Sequence, residues 1–126
     1  MALKLTHERL ENYLFVRVEG EWTEKAIQQA IDDVADVTRA NGYTRVLVDA
    51  LNLSAPSAEI NRYLAGQHIA KTCRGLQVAV VYPKELDTGF TQVTAANRGA
   101  QMAVFSDLAS AERWLMNDSA KPLRAT

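Results

Sequence analysis

Between Tyr13 and Glu19 apolar and polar residues take turns. Leu14, Val16 and Val18 fall on one side, Phe15, Arg17 and Glu19 on the other. A period of two predicts a strand with one face covered, and residues 3–10, before the Glu11-Asn12 turn, supply the other arm of a hairpin. The period then lengthens. Ile27, Ala30, Ile31, Val34 and Val37 form one helical stripe, with Lys25, Gln28, Asp32, Asp33, Asp36 and Arg39 opposite. Thr23 is placed to cap this helix and Gly42 to end it. Val46, Leu47 and Val48 are apolar without interruption, which predicts a central parallel strand ending at Asp49. Leu76–Tyr82 repeats that pattern, and Gln101–Phe105 is a shorter third example. Helices are predicted from Ser57 to about Thr72, from Thr88 to Arg98, and from a Ser106 or Asp107 cap through Met116. Ile60, Leu64 and His68 mark the apolar side of the first of these, Leu108, Ala111 and Leu115 that of the last.

Strands alternating with helices imply parallel pairing through right-handed crossovers. The expected fold class is therefore α/β: a βα superhelix on a mostly parallel sheet, with an antiparallel N-terminal strand at one edge and helices mainly on one face. One domain is expected over residues 1–116. The polar, patternless residues 117–126 read as a flexible C-terminal tail.

Composition narrows the function classes. The 126 residues carry a formal net charge of −1, with 48% hydrophobic and 23% charged positions. Nucleic-acid binders that neutralise phosphates are usually strongly basic, so none is expected here. The longest apolar run, Val78–Tyr82, is far short of the roughly 20 residues that span a bilayer. The first residues lack the apolar stretch of a secretory signal, and a single cysteine, Cys73, allows no internal disulfide. A cytoplasmic protein without stable membrane insertion is expected.

Candidate chemistry is sparse. Asp49 stands at the carboxyl end of the central strand, where open α/β sheets bind ligands, yet it equally suits capping the next loop. Ser54 and Ser57 lie in or just beyond that loop. Ser57 is placed either to cap the following helix or to receive a phosphate at the helix N-terminus. His68 and Cys73, five residues apart, point about 140° away from each other on a regular helix and form no nucleophile–base pair. With His7 alone in the first strand, no zinc site is expected. Thr88-Gly89 is too short to read as a phosphate loop. No cofactor is expected. Tyr63, Tyr82 and Phe90 could line an apolar pocket between helices and sheet.

Three passages in this order resemble the STAS family, the domain of bacterial anti-sigma-factor antagonists. Residues 11–23 (ENYLFVRVEGEWT) are similar to its turn, alternating strand, glycine and helix start. Val46-Leu47-Val48-Asp49 is similar to its central strand, and residues 104–115 (VFSDLASAERWL) to its closing strand, cap and helix. The resemblance covers roughly residues 10–116 and implies a non-enzymatic regulatory or protein-binding module. It is strongest to a divergent branch lacking the family's phosphorylatable Asp-Ser or Asp-x-Ser-Gly segment. Ser57 is the nearest equivalent by position, without the flanking aspartate and glycine. The expected partner surface comprises residues 50–63 and the third helix, with Asp49, Ser54 and Ser57 as candidate switch residues. The alternative is a carrier of a small apolar or lipid-like ligand. A sheet face left open by one-sided helices, with Phe15 on it, would also suit a homodimer.

Overall fold

The computed structural model describes residues 3–117. Its strands are β1 (Lys4–Arg9), β2 (Leu14–Glu19), β3 (Arg45–Asp49), β4 (Gln77–Val81) and β5 (Gln101–Phe105). Its helices are α1 (Glu24–Ala40), α2 (Glu59–Thr72), α3 (Phe90–Asn97) and α4 (Leu108–Met116), with one 3₁₀ turn at Lys84–Leu86. The strands lie across the sheet in chain order, β1-β2-β3-β4-β5. β1 pairs antiparallel with β2, and every later pairing is parallel. This is the expected architecture. Most of the predicted tail lies outside the described residues.

Strand alternation builds two cores. Leu14, Val16 and Val18, Val46 and Val48, Val78, and Met102 face α1, α2 and α3 in the larger one. Leu47, Ala79 and Val81 point the other way and meet Ala111 and Leu115 of α4. Central parallel strands are apolar on both faces and need cover on both. Three helices cover one face, and α4 supplies the rest of the cover from the opposite side. On that side α4 packs on β3, β4 and β5, so part of the face expected to be open for a second copy is covered, and Phe15, half-buried on β2, packs against this smaller core.

Local chemistry sets the helix ends. Thr23 Oγ1 accepts from Ala26 N–H at 3.2 Å to open α1, and Asp107 Oδ1 accepts from Ser110 N–H at 2.7 Å to open α4. α2 differs from expectation. Its cap position is Ala58, which has no side chain able to accept, and the helix starts at Glu59. Ser57 is therefore one residue before the cap, exposed, with Asn61 Nδ2 3.5 Å from its Oγ.

The buried side of α2 also differs. It is formed by Arg62, Ala65, Gly66, Ile69 and Ala70, while Ile60 is 56% exposed. Small residues let α2 sit close to α3: a Cβ on Gly66 would lie 2.7 Å from Thr94 Cβ and 2.8 Å from the Thr91 carbonyl oxygen. The stripe drawn through Ile60, Leu64 and His68 is turned away from that packing. In α4, Leu108 is likewise exposed, and Ala111 and Leu115 carry the burial with half-buried Trp114 packed against the same core.

Candidate functional site

The loop after β3 is stitched to the start of α1. Gly20 N–H donates to the Asn52 carbonyl at 3.2 Å, and Ser54 N–H to the Gly20 carbonyl at 3.0 Å. Trp22 N–H donates to Ser54 Oγ at 3.0 Å, and the Tyr82 hydroxyl to the Ser54 carbonyl at 2.9 Å. Ser54 is thereby a structural joint, with both its hydroxyl and its backbone engaged.

Asp49 faces away from this joint. It sits opposite Arg17 in the β2–β3 register, on the α4 side of the sheet. Its Oδ2 accepts from Arg17 Nε at 3.1 Å, and its Oδ1 accepts from Leu51 N–H at 3.1 Å. That second bond is the loop cap anticipated for it. The three candidate switch residues consequently do not form one site: Asp49 is paired on one face, Ser54 is locked in the loop, and Ser57 is exposed with one long contact to Asn61.

His68 and Cys73 are also separate. His68 Nε2 lies 2.7 Å from Asp32 Oδ1, joining α2 to α1. Cys73 is buried at the end of α2, and burial pushes its thiol up to about 11. Among the described residues no cluster of three or more histidine, cysteine or carboxylate side chains is arranged to hold a metal.

The aromatic trio expected to line one pocket divides in two. Tyr63 and Phe90 pair at the surface, ring centroids 6.2 Å apart, and Arg98 stacks 5.1 Å over Tyr63 while donating to its hydroxyl at 3.0 Å. Around them Ile60 is exposed, Val93 is 53% exposed, and Thr88 Oγ1 donates to Glu59 Oε2 at 2.8 Å. Tyr82 instead lies inside, edge-on to Trp22 at 6.2 Å. Its hydroxyl is raised from its ordinary value chiefly by burial, with Arg62 working in the opposite direction.

Trp22 and Tyr82 border a cavity of about 110 Å³ between the sheet and α1, α2 and α3. Its walls are almost wholly aliphatic; Val48, Ala65 and Met102 are typical. It reaches the exposed Asp87 and half-buried Thr91 at the start of α3. Arg62 is buried in its wall, with Nε donating to Glu59 Oε1 at 3.2 Å and its guanidinium carbon 5.7 Å from the Trp22 ring. The sequence reading did not single out Arg62. The spacing of Ala65, Ile69 and Cys73 four residues apart is the signal that would have put it on the inner face.

The comparisons bear on fold and family. An anti-sigma factor antagonist from Mycobacterium paratuberculosis superposes with a TM-score of 0.63 at 15% identity, over 92% of this chain and 96% of that one. An uncharacterised protein with a SpoIIAA-like fold from Shewanella loihica gives 0.57 at 20% identity, over 90% and 94%. The anti-sigma factor antagonist SpoIIAA in its unphosphorylated form gives 0.51 at 14% identity, over 98% and 100%. No curated protein matches the chain. At these identities the superpositions speak for the fold, which is that of the STAS-type antagonists. The SpoIIAA-like family model matches residues 13–116, from the turn before β2 to the end of α4, and the chain belongs to that family.

Proposed function

We propose that the chain is a non-enzymatic regulatory module of the cytoplasm, which holds a protein partner on the surface made by residues 50–63 and α3. The observation that carries this reading is the group of Ile60, Phe90 and Val93, all exposed around Tyr63 where α2 and α3 pack together. Exposed large apolar side chains gathered on two adjoining helices suit a protein interface better than water. Two of the structural neighbours are described as anti-sigma factor antagonists, a role exercised on proteins.

The non-enzymatic part rests on how the polar groups are engaged. Asp49 is tied to Arg17 and Leu51, His68 to Asp32, and the Cys73 thiol is held protonated by burial. None of these is paired as a nucleophile with a base.

Ser57 is the switch candidate within this surface. It is exposed beside the first turn of α2, whose cap residue offers no side-chain acceptor. A phosphate there would meet free N–H groups and the positive end of the helix dipole. The test is binding of a copurifying partner by Ser57→Asp and Ser57→Ala proteins. A partner that distinguishes the two supports the switch, and equal binding removes it.

A second reading is favoured by the cavity. Its size and apolar walls suit a small apolar ligand, and of Tyr63, Tyr82 and Phe90 only Tyr82 borders it, together with Trp22 and Arg62. Native mass spectra of freshly purified protein would show such a ligand as a discrete added mass.

A further inference from the structure

The two borders of the sheet are finished differently. At one, α3 lies against β5, and Gln92 Oε1 accepts from the Val104 N–H at 2.7 Å. At the other, β1 pairs with β2 alone. The backbone groups of an antiparallel strand alternate sides, so half of those in β1 point away from β2. Among the described residues these outward groups have no partner. Every β1 side chain except half-buried Leu5 is exposed. We propose that β1 pairs antiparallel with β1 of a second copy of this chain, about a two-fold axis at Thr6, so that two five-stranded sheets become one.

Charge selects both the occupant and the register. Charged side chains on an edge strand usually turn away an incoming strand, but the outcome depends on what they meet. With Thr6 opposite Thr6, Lys4 stands across from Glu8 of the second copy and Glu8 across from its Lys4, while Leu5 meets His7. Opposite charges directly across an antiparallel pair stabilise it, and like charges weaken it. A two-fold axis gives both charge pairs at once, because one patch serves both subunits. No register within two residues of this one sets opposite charges face to face. Moving one residue one way puts Lys4 against Arg9, and the other way against His7. Within its own chain Glu8 lies across from Phe15, and among the described residues no hydrogen bond or ion pair engages its carboxylate. The contact is at the border of the sheet away from α3, apart from the surface proposed above.

The test is sedimentation equilibrium of the whole protein, from micromolar to high-micromolar concentration, on the parent, Lys4→Glu, Glu8→Lys and the double variant. Both residues are exposed, and each variant is first checked for a parent-like unfolding curve. The parent is expected to dimerise. Each single change sets like charges across from each other at two symmetric places and should weaken the dimer about tenfold. The double change restores the opposite pairing in reverse and should return the affinity to near that of the parent. A mere gain in strand stability does not explain such a recovery, because the carboxylate introduced at position 4 still faces Glu19 in its own chain. A parent that stays monomeric throughout overturns the proposal and leaves the open edge to an extended segment of a different protein. A dimer indifferent to the single changes is held elsewhere, and one that the double change fails to restore does not have this register; either result also overturns it. Where a variant does not fold, hydrogen exchange at the β1 amides of the parent decides, since it slows with concentration only if that edge is covered.

Discussion

Arg17 and Asp49 stand directly opposite each other on β2 and β3, and their side chains join at 3.1 Å. The two members of this pair are unequal. Arg17 is half exposed, whereas Asp49 is buried and also caps the loop that carries Ser54. Arg17→Ala removes the half-exposed partner but leaves the Asp49 carboxylate its Leu51 N–H donor, and should cost about 1 kcal/mol. Asp49→Ala also strips the Leu51 N–H of its acceptor and should cost about 1–3 kcal/mol. Urea unfolding of both variants checks the order. A larger loss from Arg17→Ala would mean that the ion pair, and not the loop cap, is what Asp49 supplies.

Ser54 and Ser57, three residues apart, should respond differently to alanine. Ser54 Oγ accepts the Trp22 N–H and holds the loop against α1, so Ser54→Ala should lose about 1 kcal/mol. Ser57 is exposed with one long contact to Asn61, and Ser57→Ala should stay within about 0.5 kcal/mol of the parent. Thermal unfolding of the two variants side by side reads the difference.

Gly66 tests the close approach of α2 and α3. Alanine gains up to about 1 kcal/mol in helix propensity, but its Cβ would overlap Thr94 and the Thr91 carbonyl, a clash of the kind that costs about 1–3 kcal/mol. Gly66→Ala should therefore destabilise on balance. Adding Thr94→Ala should recover only part of the loss, because the Thr91 oxygen belongs to the backbone. Denaturant midpoints of the single and double variants measure both effects.

Alkaline pH should loosen the fold in two steps. Burial raises Cys73 from 9.0 to about 11, and burial with the Glu112 hydrogen bond raises Tyr13 from 10.0 to about 12. Below pH 9 both groups are neutral in the folded and unfolded chain, and their contribution is fully present. Above it the unfolded chain loses its protons first, so stability falls as pH rises through about 11 for Cys73 and about 12 for Tyr13. Cys73→Ala should remove the earlier step and leave the later one. Stability measured from pH 8 upward for both proteins follows this.

Much of the fold was legible because its patterns are strong. The unbroken run Val46-Leu47-Val48 marked the central strand, and the alternation of Leu14, Val16 and Val18 marked its neighbour. α2 was misread because its inner face is built from Ala65, Gly66 and Ala70 with a buried arginine, while its bulkier Ile60 is outside. Hydrophobicity follows bulk, and close helix packing prefers small residues, so the two signals pointed to opposite sides. The start of α2 was misplaced for a related reason: Ser57 looks like a cap, but the backbone turns into the helix at Ala58. Of the cavity, only Tyr82 and a place between helices and sheet were legible. It depends on Trp22, Arg62 and Tyr82, from three separate segments, converging on one void.

The partner surface is tested most directly by quantitative copurification from native cells. The parent protein is compared with an Ile60→Asp, Val93→Asp variant and with Glu112→Lys, a change on α4 at the other side of the sheet. Both altered proteins must first show parent-like unfolding curves. The expected result is one protein present in stoichiometric amount with the parent and with Glu112→Lys, and lost with the α2–α3 variant. Equal recovery of the same proteins by all three would contradict a partner held at Ile60, Phe90 and Val93.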